Sequence, residues 1–177
     1  MSKLNKKSNG WVTFVEFLPT NFTNSEESKP YWYFELADYV NMVVRAHSNK
    51  IAFVRQKRIP LNKFTLELPA GMVDPDEKPK NAAIRECEEE IGMVKFDKIF
   101  HITSNFTDTG RLNNKTHLFF IDGAECDSNL KSEQNIEVLW IDLENIFIEN
   151  NLKSIDHLGH LASLLLVKEL GYFSKYL

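Results

Sequence analysis

The chain has 177 residues, 43% of them apolar and 26% charged, which is the make-up of a folded chain with a buried core. Its formal charge of −4 at pH 7 lacks the basic footprint of a nucleic-acid binder, and no apolar run reaches the roughly 20 residues that a membrane helix needs. Cys87 and Cys126 are too few for a disulfide framework and too isolated for a zinc site. The basic start, MSKLNKKSNG, is not followed by the apolar stretch of a secretory leader, so a cytoplasmic protein with reduced thiols is expected.

In chain order, residues 11–18 (WVTFVEFL) read as a strand, followed by a polar loop that Pro30 closes. Residues 31–36 and 39–46 are expected to pair as a hairpin around Asp38. A strand at 51–55 and a short extended piece at 64–68 lead into Pro69-Ala70-Gly71 and a loop. Pro79 suits the first position of a helix that runs to Ile91 and stops at Gly92, a left-handed cap. Strands at 96–103, 116–121 and 136–141 follow, then a short helix at 143–149 and a longer one at 156–170. Strands on both flanks of one central helix predict an α/β class with a mixed sheet.

The predicted central helix ends in a contradiction. Glu86, Glu88, Glu89 and Glu90 crowd four like charges into five positions at the end whose dipole disfavours them. Ala83, Ile84, Cys87 and Ile91 form the apolar stripe, so Glu86, Glu89 and Glu90 project to another side together, with Glu88 left to solvent. A run of glutamates is commonly a solvated face, but the preceding loop adds Asp74, Asp76 and Glu77. Hard oxygen donors converging from a helix and a loop suit Mg²⁺ or Mn²⁺, and magnesium usually arrives with a phosphate-bearing substrate.

From Gly71 the spacing is Gly, five residues, Glu77, seven residues, then Arg85-Glu86-Cys87-Glu88-Glu89-Glu90-Ile91-Gly92-Met93. This resembles the Nudix box, GX5EX7REUXEEXGU, at every fixed position, with Cys87 and Met93 as its bulky apolar residues. The resemblance implies an α/β/α sandwich with a mixed sheet and the hydrolysis of a diphosphate linked to another moiety. It also implies Glu86 and Glu90 as the main metal ligands, Glu89 as a further ligand or metal-water partner, and the Ala70 carbonyl as a backbone ligand. Arg85 would orient the glutamates, and Glu77 would support Arg85.

The approach FVRQKRIPLNKFTLELPAG resembles the ADP-ribose (nucleoside-diphosphate-sugar) pyrophosphatase branch of that family. That likeness implies Arg58 on the substrate's phosphates, with Arg55 beside it, and Trp11 and Trp32 as base-stacking aromatics of an N-terminal lobe that packs across a homodimer. The lobe is expected over residues 1–46 and the hydrolase domain over 47–177. The pattern departs at Asp108-Thr109-Gly110-Arg111, where branch members carry a proline-glycine turn. Asp108 still matches a sugar-side aspartate, and Arg111 could meet phosphate. Glu133 lies nearest the place of the branch's catalytic base, one residue off in register, with Glu137 and Glu125 as alternates. His117 is expected to support its strand, and His157 and His160 to lie on a helix surface or interface.

The resemblance thus implies an Mg²⁺-dependent pyrophosphatase for ADP-ribose or a related nucleoside-diphosphate sugar, a homodimer whose partner molecule is a small nucleotide sugar. A hydrolase for GDP-mannose, a UDP-sugar, a dinucleotide or a modified nucleoside triphosphate is the nearest alternative. A non-catalytic module that senses a nucleotide sugar is the alternative of another class.

Overall fold

The computed structural model describes residues 3–18, 30–127, 129–130 and 135–176. Among them, β1 (Lys3–Ser8), β2 (Thr13–Leu18) and β3 (Tyr31–Glu35) form a small antiparallel sheet of their own. The remaining strands join one mixed sheet: β4 (Tyr39–Ala46), β5 (Lys50–Arg58), β6 (Lys63–Glu67), β7 (Ala70–Met72), β8 (Met93–Lys95), β9 (Lys98–Phe106), β10 (Lys115–Cys126) and β11 (Ile136–Asp142). Its path runs β11-β5-β4-β10-β8, and β4 and β10 are parallel.

The expected hairpin between residues 31–36 and 39–46 does not form. β3 pairs with β2, whereas β4 is all but buried and lies between β5 and β10. Its run of apolar residues, YVNMVVRA, fits a strand covered on both faces rather than a lobe edge. The sheet boundary therefore falls between Glu35 and Tyr39, and the 1–46 lobe drawn from the sequence takes in a strand of the main sheet. The basic start, where no apolar alternation signals a strand, forms β1.

Helix α1 (Pro79–Ile91) begins at a proline and ends at Gly92 with φ 65°, as its sequence requires. Short helices α2 (Leu143–Ile146) and α3 (Glu149–Lys153) precede α4 (Leu158–Glu169). Strict alternation divides the central strands between two cores. Val40, Met42 and Val44 of β4, Ala52 and Val54 of β5, and Phe119 and Ile121 of β10 pack with Ala83, Cys87 and Ile91 of α1. Val43, Ile51, Phe53, Leu118 and Phe120 face the other way and pack with Leu164 and Val167 of α4. The result is the α/β/α sandwich that the resemblance implied.

One irregularity of the sheet positions everything that follows. β4 and β5 pair only at Arg45–Ile51 and then diverge. The gap is filled by β6, which pairs with β5, and by β7, which pairs with β4, with Leu68-Pro69 between them. Proline cannot donate to a ladder, so the chain changes partner there. Glu67 and Ala70 sit at either side of this split.

Candidate active site

The split brings the Gly71 backbone against the side of α1. A Cβ built on Gly71 would lie 2.0 Å from the carboxyl carbon of Glu86, so only glycine lets that carboxylate rest on the strand. One turn on, Glu90 is 4% exposed and its Oε2 accepts the Ala70 N–H at 2.9 Å. Arg85 gathers the other carboxylates. Its Nη1 donates to Glu86 at 2.8 Å and to Glu89 at 3.1 Å, and its Nε and Nη2 donate to the two oxygens of Glu77 at 3.2 and 2.9 Å. Nη2 also donates to the Met72 carbonyl at 2.9 Å, which ties α1 to β7. Hydrogen bonding to Arg85 holds the Glu77 carboxyl below its ordinary range and the guanidinium above its own. The like-charge repulsion read from the sequence is therefore met in part by one arginine.

Among the described residues, no three His, Cys, Asp or Glu side chains converge as a ready cation cage. The donor set nevertheless fits a hard divalent cation: two seated carboxylates, Glu86 and Glu90, with Glu89 half-exposed beside them, all oxygen. Ala70 itself is placed by its N–H on Glu90 and by its pairing with Asn41.

On the α4 side of the sheet lies a cavity of about 690 Å³. Tyr39 and Asn41 of β4, Arg58, Glu67, His160 and Ser163 are among its walls. Arg58 and Glu67 form a two-pronged ion pair, Nε to Oε1 at 2.8 Å and Nη2 to Oε2 at 2.6 Å, and Thr65 Oγ1 donates to the same Oε1 at 2.7 Å. Burial pushes the Glu67 carboxyl up, but the bonds from Arg58 and Thr65 outweigh it and bring the pKa down to about 2. His160 is 3% exposed, a correction to the surface position expected for it. Its Nδ1 accepts the Leu68 N–H at 3.1 Å, so α4 completes the backbone where β6 leaves the ladder. Burial, with His157 stacked on it at 4.1 Å, lowers its pKa to about 3 and keeps it neutral. Tyr39 shares the cavity wall with Arg58 and Glu67, and burial pushes its hydroxyl above the ordinary range.

The other residues singled out from the sequence scatter. Arg55 does not line the cavity; it pairs with Glu137 across β5 and β11 at 3.1 Å, in the open, and lies over the Phe64 ring. That contact occupies one alternate base, while Glu125 sits 3.4 Å from Lys95 on β8. Glu133 lies outside the described residues. Asp108 shapes its own turn by accepting the Gly110 N–H at 2.7 Å. Arg111 stacks over Trp32, 4.4 Å from its ring centre, and its carbonyl accepts the Phe34 N–H, docking this loop on β3. Trp11 is at the β1–β2 turn, 71% exposed and apart from the cavity. His117 bridges Ser104 at 2.7 Å and Asp38 at 3.0 Å, a strand support as expected. No motif marks Tyr39, Glu67 or Asn114 in the sequence. A signal existed for Asn41, a lone amide inside an apolar strand.

Fold and site together set a glutamate-bearing helix on a strand glycine, beside a cavity with a fixed arginine. The NUDIX domain family matches residues 35–160, and the chain belongs to that family. Among curated relatives, the chain is 33% identical over 99 residues to the ADP-ribose pyrophosphatase of Bacillus subtilis (strain 168), covering 54% of this chain and 53% of that protein. It is 30% identical over 116 residues to the methanol dehydrogenase activator of Bacillus methanolicus, covering 66% and 61%. The chain thus spans about half to three-fifths of the length of these relatives. A solved structure described as an ADP compounds hydrolase superposes over 100% of this chain and 95% of its own with a TM-score of 0.74, at 15% identity, a likeness of fold.

Proposed function

We propose that the protein is a divalent-metal-dependent pyrophosphatase that cleaves ADP-ribose or a related nucleoside-diphosphate sugar into a nucleoside monophosphate and a sugar phosphate. The observation that carries this reading is the split strand, where Glu67, which fixes Arg58 on the cavity wall, is separated only by Leu68-Pro69 from Ala70, whose N–H is held by Glu90 of α1. The cavity has room for one half of such a molecule beside Arg58. Glu86 and Glu90, with Glu89 and the Ala70 carbonyl, would hold Mg²⁺ or Mn²⁺, which when bound supplies polarisation of the phosphoryl oxygens and activation of water. Arg85 keeps Glu86 and Glu89 oriented. Glu67 holds the Arg58 fork flat, so its remaining N–H groups are set before substrate arrives. Glu133 remains the candidate for the base that takes the water's proton.

The aromatic assignments belong to this reading too. Trp32, flanked by Arg111, offers a stacking face at the lobe, and Trp11 would complete it from the second subunit of a homodimer. The names of the relatives support a nucleotide-sugar substrate, as does the LELPAG approach to the box.

The test is chromatographic product analysis after incubation with Mg²⁺ and ADP-ribose, GDP-mannose, UDP-glucose, NADH, diadenosine polyphosphate or nucleoside triphosphates. AMP release from ADP-ribose that requires metal and is lost in Glu90→Gln is the expected result. Faster turnover of another compound would move the substrate assignment. Binding without turnover of any compound would replace the enzyme with a nucleotide-sugar sensor.

A further inference from the structure

Among the described residues, three buried side-chain oxygens have no hydrogen-bond partner: the amide carbonyls of Asn41, Asn49 and Asn114. Buried polar atoms are nearly always paired, so each needs an explanation. Asn49 belongs to the β4–β5 turn, where its φ of 61° and the bond from its Nδ2 to the Tyr176 carbonyl give it a local role. Asn41 and Asn114 come from different elements, β4 and the turn before β10, yet both line the cavity and both are at least 95% buried.

The orientation of Asn41 is fixed by α4. Ser163 Oγ donates to the Gly159 carbonyl at 2.8 Å, which commits its proton. It can then only accept from Asn41, whose Nδ2 donates to it at 2.8 Å, and the amide oxygen is left as the acceptor. Thr103, Asn105, Thr107 and Thr116 add neutral polar groups to the same lining, alongside the Arg58–Glu67 ion pair. Arg58, the one arginine or lysine on the lining among the described residues, is already bonded twice to Glu67. Two residues of the lining thus each hold a buried amide oxygen without a donor, and the lining has little uncommitted positive charge.

We infer that Asn41 and Asn114 are specificity-determining residues, whose carbonyl oxygens accept hydrogen bonds from the uncharged, donor-bearing half of the substrate while its diphosphate lies toward Arg58. The inference rests on the nucleotide-sugar reading above. Two parts of such a molecule supply the required chemistry, sugar hydroxyls and the amine of a base. A group offering only acceptors, such as a phosphate, a carboxylate or an oxo group in place of an amine, sets lone pair against lone pair and is rejected.

The test is calorimetric binding to the full chain without metal, so that it does not depend on turnover. ADP-ribose is compared with IDP-ribose, in which a carbonyl replaces the base amine, and with ADP-2-deoxyribose, which lacks one sugar hydroxyl. About tenfold weaker binding of IDP-ribose places the base in the cavity, and the same loss for the deoxy sugar places the sugar there. Asn41→Leu and Asn114→Leu should weaken ADP-ribose about tenfold and leave inorganic pyrophosphate unchanged, with Asn49→Gly as the control outside the cavity. Should a leucine variant fail to fold, the analogue series on the unaltered protein decides. Equal binding of all three nucleotide sugars, unchanged affinity in both folded leucine variants, or no nucleotide-sugar binding at all overturns the inference. Binding with the expected preferences but no hydrolysis would sink the enzyme reading and leave this one standing.

Discussion

At the scale of single residues, Arg85 shows how a fold tolerates a charge cluster that its own helix disfavours. Its donors reach Glu77, Glu86, Glu89 and the Met72 carbonyl, so a lysine, with one ammonium, cannot replace its planar fork. Arg85→Lys should retain the fold and lower turnover by about 10- to 100-fold, with a raised Mg²⁺ requirement in a metal titration. An unchanged metal requirement would show that Arg85 does not orient the carboxylates. A second prediction concerns Glu67 and His160. Both pKa values are depressed on folding, to about 2 and about 3, so both contribute stability that is fully present above their unfolded values. His160 therefore costs stability as pH falls from about 6.5 toward 3, and Glu67 adds a further loss from about 4.5 toward 2. Urea midpoints should decline already between pH 7 and 5, before ordinary carboxylates titrate. His160→Asn, which keeps an acceptor for the Leu68 N–H, should flatten that early decline. A decline unaltered by this substitution would assign it to other groups.

At the scale of elements, helix α1 and its seat were the most legible part of the chain. Pro79, the Ala83–Cys87–Ile91 stripe and the Gly92 cap act within one helix, so each can be read from spacing alone. The split of the sheet was not legible, because it depends on how far β4 and β5 diverge, which is a long-range property. Without the split, Glu67 and His160 look like ordinary strand and helix residues, and Tyr39 like a strand aromatic. The glycine at the split carries a sharp prediction. In Gly71→Ala the new Cβ meets the flexible end of Glu86, not backbone, and Gly71 has no positive φ to lose. The helix should stay folded, with a stability change of about 1 kcal/mol or less, while the displaced carboxylate lowers turnover by about 100-fold. Equal melting temperature with full activity would show that the Glu86 seat on Gly71 is not used in turnover.

At the scale of the whole molecule, the sequence located the aromatic lobe but misplaced its border, because a strand of apolar residues after a polar turn reads alike as a hairpin partner or a central strand. What remains up to Glu35 is a three-stranded sheet, about the smallest that is stable, and only with an apolar face. Phe14, Trp32 and Phe34 cluster on it with ring centres 5.7–6.3 Å apart, and Trp11 and Leu4 are more than half exposed. Exposed apolar residues gathered on one small sheet make this lobe the candidate surface for a partner. The expected cover is the same lobe, or the cavity rim, of a second copy. Sedimentation velocity across a dilution series should show a dimer that dissociates, with tryptophan emission moving to the red as Trp11 becomes wet, and Trp11→Ser should shift the equilibrium toward monomer. One sedimenting monomer at every concentration, with emission unmoved, would remove the dimer. The same fluorescence then reports on substrate. If Trp32 and Trp11 hold the base between subunits, ADP-ribose quenches the dimer strongly and ribose 5-phosphate does not. That result would leave the sugar as the donor-bearing half that meets Asn41 and Asn114.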